Sequence, residues 1–352
     1  MRILLAMSGG IDSSVIAYML KEKGHDLVGV RFNLWTDPLA PAEAQLLSNK
    51  CCDAQSAARA KHISETLEFP LHTIDLSETF KREVVDYYLE GCKAGRTVNP
   101  CVQCNKCVRF EALLDLLKDF DCEKLATGHY AQIKMKKDRF ALLEGKDKSK
   151  DQSYFLYRLT QEHLSKLMFP LGNLTKSKVY KLAKKYKIPL DEKTYRESQN
   201  LCFFPEKTPL AFLKRHIKNL RSGNIVTRDG KIVGKHKGLP LYTIGQRRIG
   251  IGGLEVPLEV IEKDIKNNRL IVAEAGTEKV NTICVQDLNW ILSIPPAEGL
   301  KCKCRTRSLS PLKKGIYSSN KFIFSNPQPP QAPGQSLVLY KGNEVIGGGI
   351  MQ

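Results

Sequence analysis

The first residues whose types and spacing suggest chemistry follow an apolar run at the N-terminus. Ser8-Gly9-Gly10-Ile11-Asp12-Ser13-Ser14 stands between a predicted strand, Ile3 to Met7, and a predicted helix, Asp12 to Lys23. Glycines let the backbone approach a phosphate closely, and the N-terminus of a helix offers it free N–H groups. Asp12 is placed to hold a Mg²⁺ ion that bridges phosphate oxygens. The segment predicts a nucleotide site; a Gly-Gly turn capped by Ser and Asp is the alternative.

Cysteines form the second group of residues that could carry out chemistry. Three of the eleven fall within Asn99-Pro100-Cys101-Val102-Gln103-Cys104-Asn105-Lys106-Cys107, and Cys202 lies in a polar stretch far along the chain. Without a secretion signal, these cysteines do not predict a disulfide framework. They divide instead into buried packing residues, metal ligands and reactive thiols.

The proline in this segment predicts where the local structure changes. Pro100 disfavours a helical conformation at Asn99, so we expect a loop here and a helix that begins at Cys104 or the next residue. A thiol at a helix N-terminus, with Lys106 and Arg109 nearby, should have a depressed pKa and a larger thiolate fraction.

Three kinds of site fit these thiols. In the first, which we favour, Cys202 carries a transferable sulfur as a persulfide and Cys104 resolves the adduct by thiol–disulfide exchange. In the second, Cys101, Cys104 and Cys202 hold an iron–sulfur cluster with one open iron position. In the third, Cys101, Cys104 and Cys107 bind a structural zinc ion.

The elements that must position these residues alternate between strand and helix patterns. Repeated βα units predict a parallel sheet covered by helices on both faces, the doubly wound α/β class. Ligands of such sheets bind beyond the carboxyl ends of the strands, where the strand order reverses. Strand one should therefore be central, and Phe32 and Thr127-Gly128-His129 should line the same crevice. The further predicted elements are strands Leu27 to Phe32, Leu71 to Leu76 and Lys124 to Thr127, and helices Cys52 to Leu67, Glu78 to Glu90 and Lys106 to Leu117.

The pattern changes after the first two hundred residues, so we expect three domains. Residues 1–205 form the nucleotide-binding catalytic domain. Residues 206–280 form a small central α/β domain rich in Gly and basic residues. Residues 281–352 show short alternating strands with Pro and Gly in the turns, which predicts a β-barrel.

The charge balance predicts a polyanionic partner. The 352 residues carry 55 Lys and Arg against 37 Asp and Glu, a net charge of +18. Such a surface binds phosphates with release of condensed counterions, although a general lysine bias would give the same balance. No segment approaches the ~20 apolar residues of a membrane span, and no secretory signal is evident. We therefore expect a cytoplasmic protein that does not bind membranes.

The same motifs resemble a known family. Ser8-Gly9-Gly10-Ile11-Asp12-Ser13-Ser14 lacks the Gly-Lys-Ser/Thr ending of a Walker A loop and resembles the PP-loop of ATP pyrophosphatases, which adenylate a substrate oxygen and release pyrophosphate. Nearly the whole chain resembles the bacterial tRNA-specific 2-thiouridylases, with matching motifs in the same order. These include Cys51-Cys52, Gly95-Arg96-Thr97-Val98-Asn99-Pro100, Cys104-Asn105-Lys106, Ala126-Thr127-Gly128-His129-Tyr130-Ala131, Lys150-Asp151-Gln152-Ser153-Tyr154, Ser198-Gln199-Asn200-Leu201-Cys202-Phe203, Tyr242 to Arg248 and Ala332-Pro333-Gly334-Gln335.

The resemblance implies an activity and its substrates. It implies 2-thiolation of the wobble uridine, U34, in the anticodon stem-loop of tRNA, with a tRNA-binding central domain. ATP with Mg²⁺ would adenylate uridine O2, and a cysteine persulfide would then supply sulfur, releasing AMP and pyrophosphate. A sulfur-carrier protein or a cysteine desulfurase would donate the sulfur, and a [4Fe-4S] cluster is the alternative cofactor. A PP-loop synthetase for a small molecule, or a basic RNA-binding protein with a vestigial loop, are the competing functions.

Site residues are carried over position by position. Cys104 takes the nucleophile position and Cys202 the persulfide position, and a disulfide between the two is implied for a resting state. Cys101 stands where the family often has an acid/base Asp, which weakens that role and favours a cluster. The implied ATP contacts are Ala6, Met7, Ser8, Gly9, Gly10, Ile11, Asp12, Ser13, Phe32 and Gly128. The implied tRNA contacts are Asn99, Pro100, Cys101, His129, Lys150, Asp151, Gln152, Arg305, Thr306 and Gln335, although an aromatic residue is common at position 306.

Overall fold

The computed structural model describes residues 1–41, 54–189, 201–206, 208–252 and 256–352. Cys51-Cys52, the predicted start of a helix at Cys52, and the motif residues 198–200 lie outside these ranges. Within the described ranges, no helix combines the length and the apolar character needed to cross a membrane.

A five-stranded parallel sheet forms the centre of the N-terminal part. Its strand order is β3-β2-β1-β4-β7, so β1 is central and the order reverses between β1 and β4. The predicted doubly wound sheet is thereby confirmed. Its strands are β1 (Arg2–Ala6), β2 (Asp26–Asn33), β3 (Leu71–Asp75), β4 (Lys124–Ala126) and β7 (Leu167–Met168).

Helices cover both faces of this sheet. Successive residues of a strand point to opposite sides, so the apolar residues of β1 need a covering layer on each face. They are α1 (Ile11–Glu22), α2 (Ala54–Thr66), α3 (Ser77–Phe80, a π-helical turn Lys81–Asp86, and Tyr87–Lys93), α4 (Pro100–Cys104, a π-helical turn Asn105–Phe110, and Glu111–Asp119), α5 (Gln161–Lys166) and α6 (Lys176–Lys185). On one face, Ile3 and Leu5 of β1 pack with α1 and α6. On the other face, Leu4 packs with Phe110 and Leu113 of α4.

The central segment consists mainly of strands. Its four-stranded sheet has the order β10-β11-β8-β9. The α-helix described in this segment, α7 (Leu210–His216), packs Phe212 and Leu213 with Phe80 and Cys104 of the N-terminal part, outside the core of this sheet. The strands are β8 (Gly223–Thr227), β9 (Ile232–His236), β10 (Leu258–Asp264) and β11 (Arg269–Glu274).

Six antiparallel strands at the C-terminus form the predicted β-barrel. Their order is β12-β15-β14-β13-β16-β17, and pairing between β12 and β17 closes the barrel. A hairpin from the N-terminal part extends this sheet, because Leu143 of β6 pairs with Glu344 of β17. The strands are β5 (Ala131–Lys136), β6 (Arg139–Glu144), β12 (Val280–Trp290), β13 (Leu300–Arg305), β14 (Lys313–Ser318), β15 (Lys321–Gln328), β16 (Ser336–Lys341) and β17 (Glu344–Met351).

A buried ion-pair cluster fastens the hairpin to the barrel. Arg305, at the end of β13, pairs through one Nη with the Asp151 carboxylate and through the other with Glu144 at 2.7 Å. Its Nε donates to the Ser310 carbonyl oxygen at 3.1 Å. The three charged side chains are almost completely buried. The guanidinium therefore holds two carboxylates of the N-terminal part against the barrel.

The first prediction concerns this cluster. Arg305→Ala should lower the free energy of unfolding by about 3–5 kcal/mol, because buried Asp151 loses its counter-ion and buried Glu144 keeps only its pair with Lys148, at 3.0 Å. Urea unfolding at constant pH measures the change. Arg269→Ala provides the control, because Arg269 pairs with Asp264 at 2.7 Å on the exposed surface and its removal should have little effect. Equal stability of the two variants would contradict a structural role for Arg305.

Candidate active site

The turn between β1 and α1 allows a ligand to approach closely. Gly9 has a φ of +72°, and a β-carbon there would lie 2.0 Å from the carbonyl oxygen of Ser56, so a larger residue does not fit. Gly10 caps α1 without a side chain. The hydroxyls of Ser13 and Ser14 donate back to the Gly10 carbonyl oxygen at 3.1 and 3.0 Å. The first N–H groups of α1 are thus directed to the carboxyl edge of the sheet, as anion binding requires.

Asp12, in the first turn of α1, contacts two polar side chains. The Tyr130 hydroxyl donates to Oδ1 at 2.7 Å, and Nζ of Lys176 contacts the two carboxylate oxygens at 2.8 and 2.9 Å. Tyr130 and Lys176 are both buried. This arrangement presents one carboxylate and one ammonium group beside the phosphate-binding turn.

The sequence-based predictions did not include Tyr130 or Lys176. One signal for the lysine was present, because Lys176 follows Thr175, the N-cap residue of α6. A cation in the first turn of a helix opposes the helix dipole and requires an anionic partner. Which anion this is depends on how α6 packs against α1, and the sequence does not state that.

The segment after β4 lines the same crevice. A β-carbon built at Gly128 would lie 3.4 Å from Cβ of Asp12, so the predicted neighbours of β1 and β4 are in contact. His129 packs between the rings of Phe110 and Phe169, and its Nδ1 lies 2.8 Å from the Thr127 hydroxyl. Burial, with a smaller contribution from the nearby positive Arg109, lowers the pKa of His129 to about 3. The imidazole is therefore neutral near pH 7.

The helix that carries Cys104 begins earlier than predicted. Asn99 is its N-cap and accepts a hydrogen bond from the Val102 N–H at 3.3 Å, and Pro100 is the first helical residue. The predicted start at Cys104 is wrong, because proline restricts the residue before it but is itself well suited to the first position of a helix. The thiol in the first turn is consequently that of Cys101.

The expectation of a thiol activated at this helix N-terminus is also wrong. Cys104 is buried within the helix, and Cys101 occupies the N-terminal turn. Cys101 is accessible to solvent, yet the protein atoms around it disfavour the thiolate and raise its pKa to about 11. Neighbouring Cys104 adds to this rise, and Arg109 opposes it. A position in the N-terminal turn of the helix therefore does not lower the pKa of this thiol.

Cys202 and Cys104 lie in one apolar cluster. Phe203 and Phe204, which follow Cys202, are buried against Phe212, with ring centroids 5.3 and 5.2 Å away. Cys104 belongs to this cluster, and the half-buried Cys202 packs against it. The two aromatic residues thus anchor the thiol at position 202 near the thiol at position 104, although the two are far apart in sequence.

The cluster lies at the edge of the sheet that carries the turn between β1 and α1. Leu34 and Trp35 follow the carboxyl end of β2, Leu76 follows that of β3, and all three pack against the cluster. In a parallel sheet these ends share one edge with the end of β1. Phe32, the last apolar residue of β2, is half-buried and packs with the core that includes Val102 of α4.

The described cysteines do not form a metal-binding arrangement. In the described ranges, no three His, Cys, Asp or Glu side chains are grouped so that they could hold a metal ion. Cys101, Cys104 and Cys202, the predicted cluster ligands, do not form such a group, and neither do Cys101, Cys104 and Cys107. A lone carboxylate such as Asp12 fits Mg²⁺ differently, because that ion takes one or two carboxylates together with substrate phosphates.

Apart from His129, described above, the residues expected to contact tRNA fall into two groups. The first group, Asn99, Pro100 and Cys101, lies at the start of α4. Gln335 lies in a barrel turn that packs against residues 96–97, just before α4. The other group surrounds the buried ion-pair cluster: Lys150 and Gln152 are partly exposed, whereas Asp151, Arg305 and Thr306 are buried. Gln152 also exchanges two hydrogen bonds of 2.9 Å with the backbone of Tyr130.

Comparison with known proteins assigns each part of the chain to a family model. Residues 1–206 match the tRNA methyl transferase HUP domain, residues 210–274 the tRNA methyl transferase PRC-barrel domain, and residues 280–351 the aminomethyltransferase β-barrel domain. Over 360 residues, the chain is 39% identical to tRNA-specific 2-thiouridylase MnmA 1 of Caldanaerobacter subterraneus, with 100% of this chain and 98% of that protein covered. The chain belongs to the tRNA-specific 2-thiouridylase family.

Other members of the 2-thiouridylase family match over the full length as well. MnmA of Chloroflexus aurantiacus is 38% identical, with 99% of this chain and 97% of that protein covered. Among solved structures, the U34-tRNA thiolase NcsA of Methanococcus maripaludis aligns with a TM-score of 0.37 at 17% identity, covering 58% of this chain and 61% of that one. A 4-thiouridine synthetase–RNA complex aligns with a TM-score of 0.35 at 17% identity, covering 61% and 50%.

The second prediction tests the neutral state of His129. His129 takes up a proton below about pH 6.5 in the unfolded chain but only near pH 3 in the folded protein. The free energy of unfolding should therefore fall as the pH falls through this window. His129→Gln removes this contribution. The stability advantage of the wild type over the variant should shrink by about 1 kcal/mol per pH unit, measured by urea unfolding between about pH 7 and 5. His62→Gln, at an exposed position on α2, is the control, and pH curves of wild type and His129→Gln that run parallel would contradict the prediction.

Proposed function

We propose that this chain is an ATP-dependent tRNA-uridine 2-sulfurtransferase that modifies C2 of the wobble uridine. One observation carries the proposal: the phosphate-binding turn and the Cys104–Cys202 cluster occupy one edge of the sheet. An adenylated base and a sulfur-bearing thiol can therefore meet in one crevice. Full-length similarity to 2-thiouridylases supports this substrate, and the methyl transfer named for the family models has no comparable support from the paired thiols.

ATP would be bound by the carboxyl edge of the sheet. The turn from Ala6 to Ser13 surrounds the phosphates, with Gly128 and Phe32 completing the pocket on either side. Mg²⁺, when bound by Asp12, would neutralise charge on the phosphates. Lys176 pairs with Asp12 at 2.8 Å, and its ammonium is the nearest described cation to that carboxylate. The ammonium would therefore help to offset the negative charge of the phosphates.

The first half of the reaction activates the base. Uridine must leave the anticodon stack for its C2 carbonyl to reach ATP. Its O2 attacks the α-phosphorus, the bond to the bridging oxygen breaks, and pyrophosphate leaves. The backbone N–H groups of the turn and the Lys176 ammonium stabilise the charge that develops on the phosphates.

Sulfur transfer then uses the two thiols in turn. The terminal sulfur of a Cys202 persulfide attacks C2, the C2–O2 bond breaks, and AMP leaves, so that the base is joined to Cys202 through a disulfide. The Cys104 thiolate attacks Sγ of Cys202, and the base departs as 2-thiouridine. A Cys104–Cys202 disulfide remains, and a dithiol reductant must supply two electrons before the next persulfide is loaded.

Binding of tRNA would involve both groups described above. Asn99, Pro100 and Cys101 would meet the extruded base, and His129, as a neutral imidazole, would hydrogen-bond rather than pair with a phosphate. Lys150, Gln152, Thr306 and Gln335 would contact the anticodon stem-loop. Asp151 and Arg305 would act by shaping this surface through their buried pair. A carrier protein or cysteine desulfurase would load Cys202.

The third prediction tests the sulfur-bearing thiol. Cys202→Ala should reduce 2-thiouridine formation at least ~10³-fold while ATP-dependent pyrophosphate release with tRNA persists, because only the second half-reaction loses its nucleophile. Mass spectrometry of tRNA nucleosides and a pyrophosphate assay measure the two steps. Cys284→Ala, at an exposed barrel position, should behave like the wild type. Undiminished thiolation by Cys202→Ala would refute the assignment.

The fourth prediction tests the lysine at the phosphate-binding turn. Lys176→Met should lower the rate of pyrophosphate release ~10²–10³-fold, because a preorganised cation no longer faces the phosphates. Lys178→Met, two residues along α6 at an exposed position, is the matched control and should retain the wild-type rate. If the two variants release pyrophosphate equally fast, Lys176 only supports Asp12 structurally and has no part in the chemistry.

A further inference from the structure

A turn of the C-terminal barrel lies directly on the segment that leads into the target-base residues. This turn, residues 332–336, receives a hydrogen bond from the Thr97 N–H to the Pro333 carbonyl oxygen at 2.7 Å. Thr97 is two residues before Asn99, the N-cap of the helix that carries Cys101 and Cys104. A contact between the barrel and the catalytic part is therefore made next to the reactive residues.

Gly334 makes this contact close. Its φ is +92°, and a β-carbon there would lie 3.0 Å from Cβ of Arg96 and 3.2 Å from the backbone N and C of Thr97. The Gly334 N–H donates to the Met351 carbonyl oxygen at 2.8 Å, which ties the turn to the last strand of the barrel. Even a methyl group at position 334 would push the turn away from residues 96–97.

Tyr154 connects the same turn to Asn99 from the other side. Its side chain is buried, and its hydroxyl donates to the Ser336 carbonyl oxygen at 2.8 Å. The Asn99 side chain lies close enough to the same hydroxyl to favour its ionised form. Asn99 in turn accepts from the Val102 N–H at 3.3 Å, which fixes the start of α4. A continuous path of contacts thus leads from the barrel turn through Tyr154 to the helix of Cys101 and Cys104.

We propose that Tyr154 and the 332–336 turn position residues 96–101, the segment that would receive the target base. The barrel would thereby set the geometry of sulfur transfer. The inference rests on the proposed function and extends it. Gln335, a proposed tRNA contact, belongs to this turn. A tRNA bound there would therefore contact the turn that holds the segment receiving the base. Productive placement of the base then depends on a residue that does not contact it.

The fifth prediction uses two pairs of variants in the full-length protein. Tyr154→Phe removes the hydroxyl and keeps the ring, and Tyr317→Phe is its control, because Tyr317 is a buried barrel tyrosine whose hydroxyl bonds Asn320 of its own hairpin. Gly334→Ala displaces the turn. Gly342→Ala is its control, because Gly342 also has a positive φ, +64°, but has open space around it.

The two test variants should lower kcat for 2-thiouridine formation about tenfold or more, because small displacements of reacting groups are costly. Affinities for tRNA and ATP should stay within about twofold of the wild type. Alkylation of Cys101 by N-ethylmaleimide, measured by peptide mass spectrometry in the absence of tRNA and ATP, should become several-fold faster, because residues 96–101 are held less firmly. The control variants should match the wild type in all these measurements.

Two outcomes would overturn the inference. One is an unchanged kcat together with unchanged Cys101 alkylation in Tyr154→Phe and Gly334→Ala. The other is a loss confined to tRNA affinity, which would make the turn a binding surface only. If the wild type itself formed no 2-thiouridine, the proposed function would fail, whereas the alkylation contrast would still decide whether the barrel holds the loop.

Discussion

The close approach of α2 to the turn after β1 is the constraint on which the site depends. Ser56 brings its carbonyl oxygen so near Gly9 that only a glycine, in a left-handed conformation, fits between them. That contact shapes the backbone before α1, where phosphates would bind. Asp12, Gly128 and Lys176 converge beside this turn because each stands near the start of a helix or the end of a strand at the same edge of the sheet.

A second region of this edge is apolar and holds the thiols. The rings of Phe203, Phe204 and Phe212 anchor the segment of Cys202 beside the helix of Cys104. Burial there makes thiolates costly, as the raised pKa of Cys92, a buried member of this cluster, illustrates. A dry environment of this kind suits an adenylated base that water would otherwise hydrolyse. The proposed phosphate site and the proposed sulfur site would thus lie at one edge of the sheet, the first in polar and the second in apolar surroundings.

Contacts between parts of the chain hold this crevice in place. Arg305 joins barrel and hairpin through Asp151 and Glu144, and the turn at Gly334 contacts the residues before Asn99. The parts therefore pack as supports for one site. The two arginine-bound carboxylates were not predicted, because their pairing depends on packing between segments far apart in sequence. The early start of α4 was missed for a local reason, because proline suits the first position of a helix.

The sequence by itself determined the strand–turn–helix at Ser8-Gly9-Gly10, the doubly wound sheet and the barrel, because glycine, capping and hydrophobic periodicity act over a few neighbouring residues. Motif resemblance also predicted Cys104 and Cys202 as the reacting thiols, and this assignment stays a prediction. That Lys176 faces Asp12, that Cys104 is buried and that Arg305 is buried became clear from the tertiary structure alone. Burial and ion pairing are set by the partners that folding brings together, and local sequence does not contain those partners.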